Sequence, residues 1–219
     1  MKKATKAVKN STYKPTEPNL LMKRATRIIT GSGDFEDRFV SDHKELKELL
    51  ENFRHMGCAI AFTTGVWDLL HIGHAKYIER GHMEAKRICS DFERVVMVVG
   101  VDTDKLTSER KGPKRPIVPE DERYRVLAYL RAVDIVTPQY KANTLFKIVL
   151  PNVLIISTST KDLPPDVEVL KKYCGDLVNL EPQAETSTSA RIRRLSIDGA
   201  TELGGKVQQT IEAYFEGGD

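Results

Sequence analysis

His71 and His74 are the residues in this chain whose type and spacing best suit chemistry on a charged phosphate. They flank Gly73 in a His-x-Gly-His segment that follows an apolar run and a turn containing Gly65. A strand that passes through such a turn into a helix directs unpaired backbone N–H groups and the positive end of the helix dipole to one point. Both imidazoles can then donate hydrogen bonds to oxygens that gain charge. The segment predicts a site for nucleotide phosphates, although a single histidine near a helix start is more often a cap or a solvated side chain.

A group of cations lies in residues 110–116, which read Arg-Lys-Gly-Pro-Lys-Arg-Pro. A charge run of this kind is usually a solvated loop. Here it follows the second predicted strand and leaves the same sheet edge as the histidines. Its four cations can therefore close over a triphosphate and offset charge on the transferring group.

A hydroxyl-rich stretch over residues 186–189 precedes Arg191 and Arg193 at the predicted start of a helix. An ordinary helix cap would use the same residue types, because Ser and Thr satisfy free N–H groups at helix starts. Together with the histidines and the cationic loop, this stretch would surround a triphosphate on three sides.

The chain lacks the motifs of covalent chemistry. It has no Ser or Cys nucleophile motif, no Gly-x-x-x-x-Gly-Lys-Ser/Thr loop and no zinc signature. We therefore expect direct in-line attack by an oxygen of the second substrate. A divalent ion, Mg²⁺, is expected on the triphosphate.

The elements that must position these groups alternate between strand and helix. Helical spacing predicts helices that begin near residues 41, 71, 119, 144 and 165, and short apolar runs predict strands at 58–62, 95–101, 132–136, 153–157 and 176–180. The alternation predicts an α/β fold, a Rossmann-like doubly wound parallel sheet in a single domain. Ligands of such sheets bind at the carboxyl ends of the strands, where the His-x-Gly-His segment lies.

Residues 1–40 carry nine Lys and Arg against four Asp and Glu, a net charge of +5, and show little apolar periodicity. We expect them to form a basic, flexible N-terminal extension ahead of one folded domain at residues 41–219. The remainder holds 25 basic and 27 acidic residues, a net charge of −2. This balance argues against a body that coats nucleic acid.

No apolar run approaches the roughly 18–20 residues that span a bilayer, so we expect no membrane insertion. Cys58, Cys89 and Cys174 form no CxxC pair, which favours a reducing compartment, the cytoplasm. Organelle targeting by the acid-poor N-terminal extension stays an alternative.

In the order of these motifs, the chain resembles the nucleotidyltransferase superfamily marked by His-x-Gly-His, the cytidylyltransferase-like proteins. Residues 45–196 are most similar to the adenylyltransferase domain of ADP-heptose synthase. The matching pieces are residues 63–74, residues 111–116, Arg123 with residues 130–134, and the Ser/Thr run at 187–189. The resemblance implies an enzyme that joins AMP from ATP to a phosphorylated small molecule, such as a sugar phosphate, and releases pyrophosphate. Such relatives are commonly homodimers.

The resemblance also implies roles for individual residues. His71, His74 and Lys111 are the catalytic candidates, and the two histidines would stabilise the α-phosphate during attack. Asp68 and Arg131 are candidates for the substrate side. The candidate nucleotide-binding residues are Phe62, Thr63, Thr64, Gly65, Gly73, Arg115, Ser187, Thr188, Ser189 and Arg193.

Three alternatives stay open. The first is a cytidylyltransferase that uses CTP and a phosphorylated alcohol of the glycerol phosphate or phosphoethanolamine type. Residues 157–162, Ser-Thr-Ser-Thr-Lys-Asp, replace a Gly-rich acidic stretch of relatives and leave specificity undetermined, although the Ser/Thr run favours adenine. The second alternative is a class I aminoacyl-tRNA synthetase. These enzymes share the signature, but 219 residues leave little room for a tRNA-binding domain. The third is a binding protein without catalysis, which intact His71, His74 and Lys111 disfavour.

Overall fold

The structure, a computed structural model, describes residues 18–158, 167–181 and 188–216. Across these residues, parallel strands form a sheet in the order β3-β2-β1-β4-β5. The strand order reverses between β1 and β4, so the topological switch point lies beside β1. The predicted fold class, a Rossmann-like doubly wound sheet, is confirmed. The strands are β1 Cys58–Gly65, β2 Arg94–Asp102, β3 Ile135–Gln139, β4 Val153–Ser157 and β5 Asp176–Leu180.

Helices cover both faces of the sheet. One apolar core packs beneath α1, α3 and α7, and the other packs beneath α4 and α6. Alternate residues of β1 and β2 point into the two cores, as the pleat of a strand requires. The helices are α1 Pro18–Thr30, α2 Phe35–Arg38, α3 His43–His55, α4 Ile72–Ile88, α5 Asp104–Lys111, α6 Glu120–Ala128, α7 Phe146–Val149, α8 Val167–Lys171 and α9 Thr188–Glu216.

Residues 18–40 correct the prediction of a flexible extension. Leu21, Ala25 and Ile28 are buried on one face of α1. Arg24 donates hydrogen bonds to the carbonyl oxygens of residues 36, 37 and 39 and pairs with Glu45 at 2.5 Å. The prediction is therefore wrong for these residues, because burial of an apolar helix face outweighs their basic composition. Residues 1–17 lie outside the described part of the chain.

The third strand also differs from its prediction. The apolar run at 132–136 predicted its place, but the strand lies at Ile135–Gln139, where Asp102 pairs with Gln139. The strand includes Pro138, which cannot donate a ladder hydrogen bond. β3 is an edge strand of the sheet, and an edge strand tolerates a proline. The shift brings Gln139 to the carboxyl edge of the sheet.

The chain divides into two compact units, residues 1–183 and 184–219. The sheet and its helices lie in the first unit, and the described part of the second is the helix α9. No helix in the described ranges has the length and apolarity that crossing a bilayer requires.

Candidate active site

The turn between β1 and α4 is held against β2 by a tryptophan. The indole Nε1 of Trp67 donates to the carbonyl oxygen of Gly100 at 2.9 Å. A Cβ at Gly65 would lie 3.0 Å from the indole, so glycine makes room for the ring. Trp67 and Leu69 have φ angles of 56° and 47°, in the left-handed region that is unusual for side chains of this size. Packing of the indole therefore holds the backbone of this turn in a conformation that is unfavourable in free energy.

His71 and His74 lie side by side at the start of α4. His71 is the N-cap, and its Nδ1 accepts a hydrogen bond from the N–H of Gly73 at 3.1 Å. The two imidazole centroids are 4.0 Å apart with an angle of 27° between the ring planes. Because Nδ1 of His71 is an acceptor, its neutral ring carries the proton on Nε2. His71 is therefore a cap and, through its other nitrogen, a donor beside His74.

The candidate residues of β1 divide into buried and exposed side chains. Phe62 and Thr63 are buried, and the hydroxyl of Thr63 lies 3.3 Å from the hydroxyl of Tyr77. Burial raises the pKa of Tyr77 to about 12, so this phenol stays protonated at neutral pH. Thr64 is exposed at the carboxyl end of the strand. It is thus the residue of this group whose side chain can reach a ligand.

Asp68 connects the turn to the cationic loop. Its buried carboxylate accepts hydrogen bonds from the backbone N–H groups of Ile117 and Val118 at 2.9 to 3.1 Å. It also pairs with Arg115 at 2.8 Å. These contacts place Arg115 beside the β1–α4 turn. They favour a positioning role for Asp68 over the predicted contact with substrate.

Lys111 lies at the end of a helix that leads into the cationic loop. Residues 104–111 form α5, a helix that was not among the predicted ones; it is capped by Thr103 and buries Leu106. Lys111 is its last residue and is exposed. Gly112 follows with a φ of 96°, which suits glycine at a helix end. The cationic loop is therefore shorter than expected, because Arg110 and Lys111 belong to the helix.

Asp102 and Gln139 form a buried polar pair that the sequence analysis missed. The amide Nε2 of Gln139 donates to Asp102 at 2.6 Å and lies 3.5 Å from the hydroxyl of Thr64. Arg110 of α5 also pairs with the Asp102 carboxylate. The signal in the sequence was an acidic and an amide residue following apolar runs. The amide residue, Gln139, was missed because the predicted third strand ended at residue 136, whereas β3 ends at Gln139.

Arg123 ties together the segments around the site. Its buried guanidinium donates to the carbonyl oxygens of Val66, Asp102 and Val118 and to the carboxylate of Asp104. These acceptors belong to the β1–α4 turn, the end of β2, the segment after the cationic loop and the start of α5. The resemblance included Arg123 without a role, and its contacts indicate a positioning residue.

Arg131 lies apart from the other candidates. It is exposed and lines a surface depression together with Arg94 and Val95, which begin β2. The nine residues of β2 run from that edge to the edge that holds Asp102 and the histidines. The structure therefore does not bring Arg131 to the site, and its predicted substrate role has no support from its place in the fold.

The hydroxyl-rich stretch is only partly described. The helix predicted there begins at Thr188, so Thr188, Ser189 and Arg193 lie in the first turns of α9. Ser187 and residues 159–162 of the Ser/Thr-Lys-Asp segment lie outside the described residues, and the side-chain positions of Thr188, Ser189 and Arg193 also lie outside them.

Comparison with known proteins gives a family for this chain. Residues 62–196 match the model of the cytidylyltransferase-like family. The bifunctional protein HldE of Methylobacillus flagellatus is 33% identical over 150 residues, which cover 67% of this chain and 29% of that protein. The HldE protein of Hahella chejuensis is 31% identical over 181 residues, which cover 81% of this chain and 35% of that protein. The chain thus spans about a third of the length of these curated relatives.

A solved structure is also similar, the lipopolysaccharide core biosynthesis protein from Thermoplasma volcanium GSS1. It is 22% identical with a TM-score of 0.45, and the match covers 57% of this chain and 98% of that one. The resemblance inferred from the sequence is confirmed by the family match and the HldE relatives. On this basis the chain belongs to the cytidylyltransferase-like family and is a nucleotidyltransferase.

Proposed function

We propose that this chain is an adenylyltransferase that transfers AMP from ATP to the phosphate of a phosphorylated sugar. The observation that carries the proposal is the stacked pair of His71 and His74 at the amino end of α4, beside the topological switch point. The similarity to HldE proteins supports a sugar phosphate as acceptor.

The reaction needs a single displacement. A phosphate oxygen of the acceptor forms a bond to the α-phosphorus of ATP, and the bond from that phosphorus to the bridging oxygen breaks. Pyrophosphate leaves with the electron pair. His71 and His74 donate hydrogen bonds to the α-phosphate oxygens, which gain charge as the attacking and leaving oxygens share the phosphorus.

The cationic loop holds the leaving group. Lys111 and Arg115 bind the β- and γ-phosphates and offset the charge of the departing pyrophosphate. Asp68 keeps Arg115 next to the turn before ATP arrives, so less conformational entropy is lost on binding.

Mg²⁺ enters with the triphosphate. The described residues contain no group of three or more His, Cys, Asp and Glu side chains that could hold a metal ion. We propose that the ion is held mainly by phosphate oxygens and water, the arrangement that Mg²⁺ commonly adopts with nucleotides. The ion would neutralise part of the charge of the triphosphate.

The second candidate function is cytidylyl transfer from CTP to a phosphorylated alcohol. The description of the matching family favours it, because that family is named for cytidylyl transfer. Both candidates use the same phosphate chemistry and differ in the base and acceptor contacts.

A pyrophosphate-release screen tests both candidates. The full chain with Mg²⁺ is given ATP, CTP, GTP or UTP against a panel of sugar phosphates and alcohol phosphates, with acceptor-free reactions as controls. We expect acceptor-dependent release with ATP and a sugar phosphate. Release with CTP and an alcohol phosphate alone would support the second candidate. No release in any combination would contradict both.

Cysteine placement supports a reducing compartment, and we propose the cytoplasm. Cys58, Cys89 and Cys174 are buried free thiols. Burial raises the pKa of each thiol, to about 11 for Cys174. Raised pKa values keep the groups protonated and unreactive, as structural cysteines usually are.

A further inference from the structure

The cationic loop is attached to buried carboxylates at both of its ends. After the lysines of the loop, Arg115 pairs with Asp68 at 2.8 Å. Before them, Arg110 in the last turn of α5 pairs with Asp102, whose side chain is 1% exposed. Lys111 is the residue next to this second ion pair. Asp102 therefore holds the end of the helix from which the loop starts.

The helix α5 has little apolar surface with which to pack. Its eight residues, Asp-Lys-Leu-Thr-Ser-Glu-Arg-Lys, contain a single large apolar side chain, that of Leu106. Short helices gain most of their stability from packing, so the orientation of α5 depends strongly on its polar contacts. Thr103 caps the amino end through a hydrogen bond from the N–H of Leu106 at 3.2 Å. The ion pair of Arg110 with Asp102 attaches the carboxyl end.

Gln139 binds the other oxygen of the Asp102 carboxylate. Its Nε2 donates to Oδ1 at 2.6 Å, whereas the guanidinium of Arg110 binds Oδ2. Donors on both oxygens restrict rotation of the carboxylate. The backbone carbonyl oxygen of Gln139 also accepts a hydrogen bond from the N–H of Thr103 at 3.2 Å. Gln139 is thus connected to both ends of α5, directly at the start and through Asp102 at the end.

The residues on either side of Gln139 are held by the segment that starts α3. The carbonyl oxygen of Pro138 lies 2.9 Å from Nε2 of His43. The hydroxyl of Tyr140 donates to the carbonyl oxygen of Ser41 at 3.2 Å. Because the backbone is attached before and after Gln139, its amide is a donor at a fixed position.

We propose that Asp102 and Gln139 are positioning residues for Lys111, because together they hold the last turn of α5 at the carboxyl edge of the sheet. The inference rests on the proposed function for the role of Lys111 as a phosphate-binding residue. Asp102 and Gln139 are 0% and 3% exposed, so they act through α5 and not by touching a ligand. Without them, Lys111 would sample more orientations, and nucleotide binding would cost more conformational entropy.

A purely structural role is the alternative for Asp102, and the chain contains a matched control for it. The carboxylate of Asp134 is also buried, accepts a hydrogen bond from the N–H of Met97 at 2.8 Å and pairs with Arg94 at 3.0 Å. Arg94 begins β2, whereas Asp102 ends it, so the two ion pairs lie at opposite edges of the sheet. Asp102→Asn and Asp134→Asn remove comparable charges, but the first of them acts on α5.

Steady-state kinetics with the substrates that the wild-type chain uses separates the two roles. Asp102→Asn should raise the KM for the nucleotide about tenfold, because Lys111 is no longer held in place. Asp134→Asn should lower the thermal midpoint but leave this KM unchanged. Arg110→Gln removes the same ion pair from its more accessible side and should raise the KM in the same way, so the test does not depend on the folding of one variant. Equal KM values in the two aspartate variants would overturn the proposal.

A change at position 139 tests the contact between the two positioning residues. Adding Gln139→Glu to Asp102→Asn exchanges donor and acceptor, because the amide at position 102 can donate to the new carboxylate and still accept from Arg110. This double variant should recover most of the lost nucleotide affinity. Adding Gln139→Met to Asp102→Asn supplies no polar partner and should give no recovery. Equal KM values in the two double variants would contradict the pairing.

Hydrogen exchange in the absence of nucleotide tests the inference without the reaction. The N–H of Gly112 donates to the carbonyl oxygen of Ser108 at 3.0 Å and closes the last turn of α5. Asp102→Asn should speed amide exchange in residues 108–112 about tenfold, and Asp134→Asn should not. Unchanged exchange in Asp102→Asn would overturn the positioning of α5, even in an active enzyme. A wild-type chain without nucleotide turnover would contradict the proposed function, whereas faster exchange in residues 108–112 would still support the attachment of α5 by Asp102.

Discussion

Arg115 of the cationic loop and Asp68 of the β1–α4 turn form an ion pair at 2.8 Å, and the Asp68 side chain is almost completely buried. The same carboxylate accepts backbone hydrogen bonds from Ile117 and Val118. A single side chain therefore fixes both the backbone of the loop and the cation that the loop presents. The loop is positioned by the turn that carries the histidines.

Asp68→Asn should loosen this loop. The amide removes the charge that holds Arg115, and the free energy of unfolding should fall by about 1–3 kcal/mol because buried donors lose a strong acceptor. The KM for the nucleotide should rise more than kcat falls, since Asp68 positions a binding group. Asp91→Asn, at an exposed aspartate, is the control. A large loss of kcat with unchanged KM would instead indicate contact with the reacting groups.

His74→Ala should lower kcat by about a hundredfold to a thousandfold, the effect of removing one donor to a developing charge. Its thermal midpoint should stay close to that of the wild type. His55→Ala removes an exposed histidine at the end of α3 and should leave kcat unchanged. Full activity of His74→Ala would exclude a catalytic role.

His71 combines a cap with a proposed catalytic donor, and two substitutions separate these roles. His71→Ala should lose about 1 kcal/mol of stability together with activity, because the Gly73 N–H loses its acceptor. His71→Asn should keep the stability, since asparagine is a strong N-cap, but should stay inactive. Recovery of activity in His71→Asn would show that capping is its whole function.

The packing of α1 predicts a contrast within one helix. Ile28→Ala should lower the free energy of unfolding by about 2–4 kcal/mol, because Ile28 is fully enclosed in the core. Leu20→Ala, at an exposed position of the same helix, should change it by less than about 0.5 kcal/mol. Chemical denaturation measures both. Equal, small effects would mean that α1 does not belong to the folded core.

Asp37 predicts a pH dependence of stability. The hydrogen bond from Arg27 lowers the pKa of Asp37 below its ordinary value of 3.8. A depressed pKa in the folded state gives stability that is present above the unfolded pKa. That stability is lost as the pH falls from about 3.8 through the lower folded value. Asp37→Asn should be less stable than the wild type at pH 7, and the difference should shrink as the pH falls through this range. A difference that is constant with pH would contradict the linkage.

The elements around the histidines were predictable because their apolar patterns are strong. β1, β2 and α4 fall close to their expected places, and the strand-to-helix turn with its His-x-Gly-His start is as the pattern indicated. His74 also makes an edge contact with the indole of Trp67 at 5.6 Å between ring centroids, and the left-handed backbone of Trp67 and its hydrogen bond to Gly100 are tertiary features. A local pattern does not contain them.

The missed elements have weak local signals. In α1, the buried positions Leu21, Ala25 and Ile28 are interspersed with basic residues that favoured a flexible segment. In α5, most residues are charged, and the helix depends on the Thr103 cap and on a hydrogen bond from the N–H of Asp104 to Glu120. Those partners become neighbours only when the sheet has formed.

The guanidinium of Arg123 fixes the site by hydrogen bonds to four acceptors in the segments that surround it. A variant with a different preference for the nucleotide or for the phosphorylated substrate has to keep these hydrogen bonds of Arg123. Substitutions that change selectivity should therefore fall on exposed positions outside these contacts, such as Thr64. Redesign of selectivity should begin at those exposed positions and leave Arg123 unchanged.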